Sequence, residues 1–248
     1  PLAISLSKDG LEYTTLNLVH GEITPMRYGG NYKSYGPQYP RGIQEGNGVP
    51  ADGDLWVSYS VNKEDMWISR IPVPVSLNAS VHADDDFSKS KEIAELTDWN
   101  IYSPLWAPVS LDGQWLKLQD KDPFDYAKVE RKIPASKELK VSFDLQAGQN
   151  DKGTLQIEFL DENGIACSRM ELTDDGVFRL KGGSRFANMM KYEAGKVYHV
   201  EAVLSTADRN IQVYVDGRRV GLRMFYAPVA AVERIVFRTG IDRKSTRL

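Results

Sequence analysis

The chain has 248 residues, 42% of them hydrophobic and 26% charged, an ordinary globular composition with room for one large or two modest domains. A formal net charge of −3 and a pI near 5.7 argue against a nucleic-acid footprint, which needs a clustered excess of Lys and Arg. The single cysteine, Cys167, excludes an intramolecular disulfide and a cysteine-based metal set, and no run of about 18 apolar residues is present to form a membrane span.

Short apolar runs punctuated by proline and turn residues fill the chain, and none keeps a 3.6-residue period over a helical length, so an all-β fold is predicted. The opening segment, PLAISLSKDGLEYTTLNL, reads as the middle of a repeating hairpin unit. RYGGNYKSYGPQYP then places Tyr28, Tyr32, Tyr35 and Tyr39 around Lys33 in a Gly-Pro loop. Aromatic faces stack on the C–H surfaces of sugars and a lysine neutralises a carboxylate, which makes this a candidate glycan-facing rim; a packed irregular loop is the alternative. In the stretch that follows, YPRGIQEGNGVPADGD, Arg41, Glu45 and Asn47 stand among glycines, where loops commonly present polar side chains. Glu45 is the candidate general acid or base, because partial desolvation on such a rim raises a carboxyl pKa toward neutrality. Arg41 suits bidentate recognition of a sugar carboxylate, and an ordinary surface ion pair equally. Asn47 can hydrogen-bond a sugar hydroxyl or simply make a turn between Gly46 and Gly48. A glycosidase needs a second carboxyl roughly 5 to 9 Å away, and none is evident nearby in the sequence.

The next segment, GDLWVSYSV–NKED–MWISRIPVPV, is the clearest hairpin. Leu55, Val57, Tyr59 and Val61 share one face, and Met66, Ile68 and Arg70 alternate on the returning strand. Pro72 and Pro74 mark the exit, because they cannot donate to a central ladder. Residues 76–98 are polar, carry the acidic run Asp84–Asp86, and read as a linker between a first module, 1–75, and a second, 99–240. The second module offers evenly spaced strands from QWLKLQD to RIVFRTG, separated by the turns DENG, DDG, AGK and DG, as a two-sheet antiparallel sandwich requires. In it Asp216-Gly217 suits a type I′ hairpin turn. Residues 241–248 break the pattern; RKSTRL resembles an adapter-derived tail and Lys244–Leu248 are set aside.

Metal and phosphate chemistry find little support. His20, His82 and His199 are too scattered for a metal triad, so no metal site is assigned. Asp120, Asp122 and Asp125 in DKDPFDY offer oxygens to calcium but follow no calcium-loop spacing, and a plain turn accounts for them. GGSRF lacks the lysine and the strand-to-helix context of a phosphate loop. Tyr192, Phe225 and Tyr226 are candidates for a glycan-facing surface on the sandwich, although strand alternation places most of its aromatics in the core and favours a bracing role.

Two family resemblances enter at this point. AGKVYHVEAVLSTADRNIQVYVDGRRV resembles the concanavalin A-like or laminin-G-like jelly-roll domains. LSKDGLEY, from Leu6 to Tyr13, is similar to the Asp-box hairpin turn of sialidase-like BNR propellers, with Ser7, Asp9, Gly10 and Tyr13 standing in; one residue is missing between Asp and Gly, and Tyr replaces Trp. RGIQEGNG with DLWVSYSVNKEDMWISRIPVPV resembles the closing blade of such propellers where a sandwich follows. The resemblance implies the last blade or blades of a β-propeller followed by a concanavalin A-like sandwich, in the C-terminal part of a bacterial glycoside hydrolase exported to the periplasm or beyond. It implies an oligo- or polysaccharide partner, acidic in character, and no cofactor. On that reading Glu45 and Tyr35 are catalytic candidates, and Arg41, Asn47, Lys33 and Tyr39 bind substrate. Alternatives are a polysaccharide lyase, with Tyr35 as base and Lys33 or Arg41 as carboxylate neutraliser, and a non-catalytic glycan-binding module.

Overall fold

The computed structural model describes residues 1–22, 24–43, 53–75 and 83–240. The fold is all-β and antiparallel throughout, with only two single-turn 3-10 helices, Phe87–Lys89 and Ile93–Glu95, among the described residues. The chain divides into two compact units, Pro1–Leu77 and Asn78–Leu248.

The first unit begins with a hairpin of β1 (Leu2–Ser7) and β2 (Tyr13–His20). Its connection is the turn that holds Asp9 and Gly10. Asp9 Oδ1 accepts the backbone N–H of Leu11 at 2.8 Å and of Glu12 at 3.0 Å, while Ser7 Oγ accepts the Gly10 N–H at 2.8 Å. Gly10 takes φ +78°, a left-handed conformation that a side chain would strain. A three-stranded sheet follows in the order β3 (Pro37–Ile43), β4 (Leu55–Val61), β5 (Asp65–Ile71). The β4–β5 register pairs Tyr59 with Trp67, and both rings meet the imidazole of the buried His20 at centroid distances of 5.4 Å. Tyr59 and Val61 are buried as the alternation predicts, whereas Met66 and Ile68, on the other face of β5, are exposed.

The second unit supplies thirteen strands among the described residues. They are β6 (Trp99–Tyr102), β7 (Val109–Asp112), β8 (Trp115–Leu118), β9 (Lys128–Ser136), β10 (Glu138–Gln146), β11 (Leu155–Leu160), β12 (Ala166–Leu172), β13 (Val177–Gly182), β14 (Arg185–Lys191), β15 (Val197–Ser205), β16 (Asn210–Val215), β17 (Arg218–Met224) and β18 (Val232–Thr239). A seven-stranded sheet runs β14-β13-β12-β11-β18-β9-β6 and a four-stranded sheet β10-β15-β16-β17; β7 and β8 form a separate hairpin. One apolar core lies between the two larger sheets. Ile157, Phe159, Met170 and Leu180 come from the first, and Val200, Ala202, Leu204, Ile211 and Val213 from the second, all fully buried. Period-two alternation produces this core: along β15, Val200, Ala202 and Leu204 point inward while His199, Glu201 and Val203 face out. Each buried Val, Leu or Ile stabilises by about 1.5–3 kcal/mol. The β16–β17 turn has φ +49° at Asp216 and +77° at Gly217, the type I′ geometry predicted for Asp-Gly.

The polar stretch expected to be a linker belongs, where it is described, to the second unit. Asp85 pairs with the buried Arg131 at 3.0 Å, Phe87 lies against Trp99, and Ile93 packs on a smaller cluster built on Ala107, Val109, Ala127 and Val129. The acidic run therefore includes a structural anion, because Arg131, 3% exposed, needs its partners Asp85 and Asp98 to be tolerated inside.

Candidate functional site

In the first unit, the loop that precedes β3 is held by the short turn between β4 and β5. Asn62 and Lys63 adopt φ +56° and +57° there. The buried Asn62 takes the Gly36 N–H on its Oδ1 at 2.8 Å and donates from Nδ2 to the Thr24 carbonyl at 3.1 Å, while its own N–H donates to the Gly36 carbonyl at 3.0 Å. Glu64, next in the turn, accepts the backbone N–H groups of Arg27 and Tyr28 at 3.0 and 2.9 Å and the Lys33 ammonium at 2.6 Å. Its side chain is 3% exposed. Burial pushes the Glu64 pKa up, but the hydrogen bond from Lys33, the two backbone donors and the Lys33 charge outweigh it and hold the carboxyl below its ordinary value.

This arrangement decides what Lys33 can do. Its Nζ bonds Glu64 and the Tyr28 carbonyl, its side chain is 17% exposed, and it sits 5.7 Å from the Tyr28 ring centroid. The charge expected to neutralise a substrate carboxylate is already matched inside the loop. Tyr35 and Tyr39 are exposed, and Tyr39 sits at the β3 irregularity with φ +54° and its ring 5.7 Å from Lys63 Nζ. Lys63 also donates to the Tyr32 carbonyl at 2.7 Å, so it links two members of the tyrosine loop. Arg41 lies on β3 opposite Ser58, exposed and with no ion-pair partner among the described residues. Glu45 and Asn47 fall outside the described residues. The structure thus gathers Lys33, Tyr28 and Glu64 on one side of the turn and Tyr32, Tyr39 and Lys63 on the other. Asn62, Lys63 and Glu64, which hold this loop in place, are visible in the sequence only as a turn.

The aromatic candidates of the second unit separate by burial. The Tyr192 hydroxyl donates to the Thr173 carbonyl at 2.6 Å inside the fold, and Phe225 packs on the core. Tyr226 stays half-buried, its N–H on the Cys167 carbonyl at 3.0 Å and its ring 4.1 Å from Lys181 Nζ. Burial raises its hydroxyl pKa to about 12, with Arg169 opposing and Glu158 and Cys167 adding to the rise. Phe186, half-buried on β14, has Arg179 4.3 Å from its centroid and Lys181 at 6.0 Å. Phe186 and Tyr226 thus flank Lys181 beside a ladder of paired charges, Arg179–Glu171 and Arg169–Glu158, each at 2.5 Å. Apolar rings next to polar groups suit the alternating faces of a sugar. Phe186 has a weak sequence signal because it follows the polar GGSR run.

The remaining sequence candidates are structural. Asp120 accepts from Thr239, Asp122 from the Phe124 N–H and Asp125 from the Tyr102 hydroxyl, and no group of three or more His, Cys, Asp or Glu able to hold a metal occurs among the described residues. His199 pairs with Asp144 at 2.8 Å on an exposed strand face.

A two-sheet antiparallel sandwich with aromatic and charged groups on its outer strands defines the class of this second unit. Residues 99–247 match the family described as sialidase-like, CBM domain, and the chain belongs to that family. A solved structure described as a sialidase shares 90% identity over 98% of the chain with a TM-score of 0.94, and the chain spans 22% of that protein's length. The apo structure of a Crh5 transglycosylase, 11% identical, covers 65% of this chain and 71% of its own with a TM-score of 0.50, a likeness of fold alone. None of the curated proteins matches the chain.

Proposed function

We infer that the chain is the C-terminal part of an exported bacterial carbohydrate-active enzyme, a sialidase-like glycoside hydrolase acting on a complex acidic glycan, and that its sandwich holds glycan for that enzyme. The observation that carries this reading is the 90% identity along 98% of the chain to a protein described as a sialidase, of which this segment is about a fifth. The family match over the sandwich supports the carbohydrate-holding role of the second unit. The first unit, residues 1–75 on this reading, contributes the closing part of a propeller, to which its Asp-box-like turn is suited.

Glu45 is proposed as acid or base, Tyr35 and Tyr39 as rim aromatics, and Arg41 and Asn47 as substrate contacts. The engagement of Lys33 with Glu64 leaves Arg41 as the cation of that set available to a sugar carboxylate, in hydrolysis or in the lyase alternative. The test uses the longer protein, with Glu45→Gln expected to lower turnover of an acidic glycan by about 10²-fold or more while leaving the glycan retention of the sandwich unchanged. Near-normal turnover would remove Glu45 from the mechanism.

A further inference from the structure

At one open edge of the sandwich, the terminal strand of each sheet faces the other across a cleft. β14 ends the seven-stranded sheet and β17 ends the four-stranded one. The cleft has a volume of about 340 Å³, a floor that includes Leu180, Met189 and Gly221, and a polar border of Asn188, Arg219 and Arg223. This volume lies at the low end of small-molecule sites, which run from roughly 300 to 1,000 Å³. Gly221 sets how closely the strands approach, since a Cβ there would stand 2.6 Å from Met189 Sδ. Arg223 crosses Gly182, where a Cβ would meet its Cδ at 2.8 Å.

Elsewhere in the sandwich Arg131, Arg169, Arg179 and Arg234 are ion-paired, although Arg209 and Arg238 show no ion pair among the described residues. Arg219 and Arg223, with Arg185 and Arg218 on the same two strands, have no ion-pair partner among the described residues and are exposed. In a chain of net charge −3, such a set is not a by-product of surplus positive charge. Arg219 and Arg223 both line the cleft, on either side of the register shift in β17, where Tyr214 pairs with Arg219 and Val213 with Gly221. Terminal strands also leave backbone N–H and C=O groups unpaired, as partners for hydroxyls. An adding peptide strand would use the same groups, but register shifts at Val213/Tyr214 and at Phe178/Arg179 interrupt the regular ladder it needs.

We propose that the cleft between β14 and β17 is a binding site for a short stretch of anion-bearing oligosaccharide, with Arg219 and Arg223 engaging its carboxylate or sulfate groups and the strand edges its hydroxyls. This rests on the reading of the sandwich as a glycan-holding unit and gives that unit a site and a ligand class. Guanidinium forks fit either anion bidentately.

The test is affinity electrophoresis of the full chain through gels containing polygalacturonate, dextran sulfate or neutral dextran. Wild type is expected to be retarded by at least one anionic polymer and not by dextran, and the responding polymer names the anion. Arg219→Ala/Arg223→Ala should weaken that retardation at least tenfold, and Gly182→Ala, which displaces Arg223 without removing charge, should weaken it in part. Lys152→Ala/Lys196→Ala, an equal loss of charge elsewhere, should leave it unchanged. Equal losses in the two double variants would reduce the effect to bulk charge and overturn the proposal. Retardation of wild type by dextran alone would overturn the ligand class while keeping the glycan-holding reading. Anionic retardation that the arginine pair does not affect would move the site elsewhere on the sandwich. No retardation by any polymer would overturn the proposal and the glycan-holding reading together.

Discussion

Replacing Glu64 with Ala removes one carboxylate that organises the whole tyrosine loop. The change removes the acceptor of the Arg27 and Tyr28 N–H groups and leaves the Lys33 ammonium with the Tyr28 carbonyl but no counter-charge. Deleting one member of a buried ion pair typically costs about 3–5 kcal/mol. Lys33 retains 17% exposure and can recover some hydration, so the lower end, about 3 kcal/mol, applies here. Lys33→Met should cost less, about 1–2 kcal/mol, because Glu64 keeps its two backbone donors. The readout is amide hydrogen exchange at Arg27, Tyr28, Gly36 and Asn62, since a chain of two units need not unfold in one transition. Glu64→Ala should speed exchange at these amides by about 10²-fold and Lys33→Met by about 10-fold, while exchange in β15 stays unchanged. The pH dependence follows from the sign of the shift. The folded pKa of Glu64 lies below its ordinary 4.5, so its contribution is complete above that value and disappears as pH falls through the folded pKa. Loop protection should therefore fall on acidification in wild type and stay flat over that window in Glu64→Ala. A Lys33→Met effect equal to or larger than that of Glu64→Ala, or no effect from either, would refute the claim that Glu64 organises the loop.

Two further outcomes are expected. Cys167 is buried and its thiol pKa is pushed up to about 12 by desolvation, so it should resist iodoacetamide at pH 8 in the folded chain and react fully in denaturant, and rapid labelling of the native chain would contradict its placement. Asp9, whose pKa is lowered by the Glu12 and Leu11 N–H groups and by the Ser7 hydroxyl, should tie the β1–β2 turn to pH: ordered above about 3.8, loosening as pH falls through the lower folded value, and insensitive in Asp9→Ala, as NMR shifts of Leu11 and Glu12 would report.

The degree to which the sequence is legible depends on how local the determinant is. The type I′ turn at Asp216-Gly217 is written in two adjacent residues, and the inward set Val200, Ala202 and Leu204 in a period of two. The turn at Asp9 is equally local, because its carboxylate accepts backbone donors only two and three residues ahead. Arg131 was beyond such reading. Its partners lie 46 and 33 residues upstream, and one of them sits in a stretch whose polarity imitates a linker.

The same distinction separates the two candidate surfaces. Lys33 has the composition of a binding residue, a cation among tyrosines in a Gly-rich loop, yet 31 residues later a turn glutamate claims it, and a single sequence does not encode that pairing locally. β14, the segment RFANMMK, departs from strict alternation: it is an edge strand whose Met189 and Met190 still pack against the core. The reason is physical. An edge strand with a register shift need not alternate strictly, and β14 leaves Arg185 and Asn188 exposed while Phe186, Met189 and Met190 stay partly buried. The positions that relax the alternation are those released from the core. A cleft between edge strands is therefore where sequence reading is weakest and where side chains are most available to a ligand.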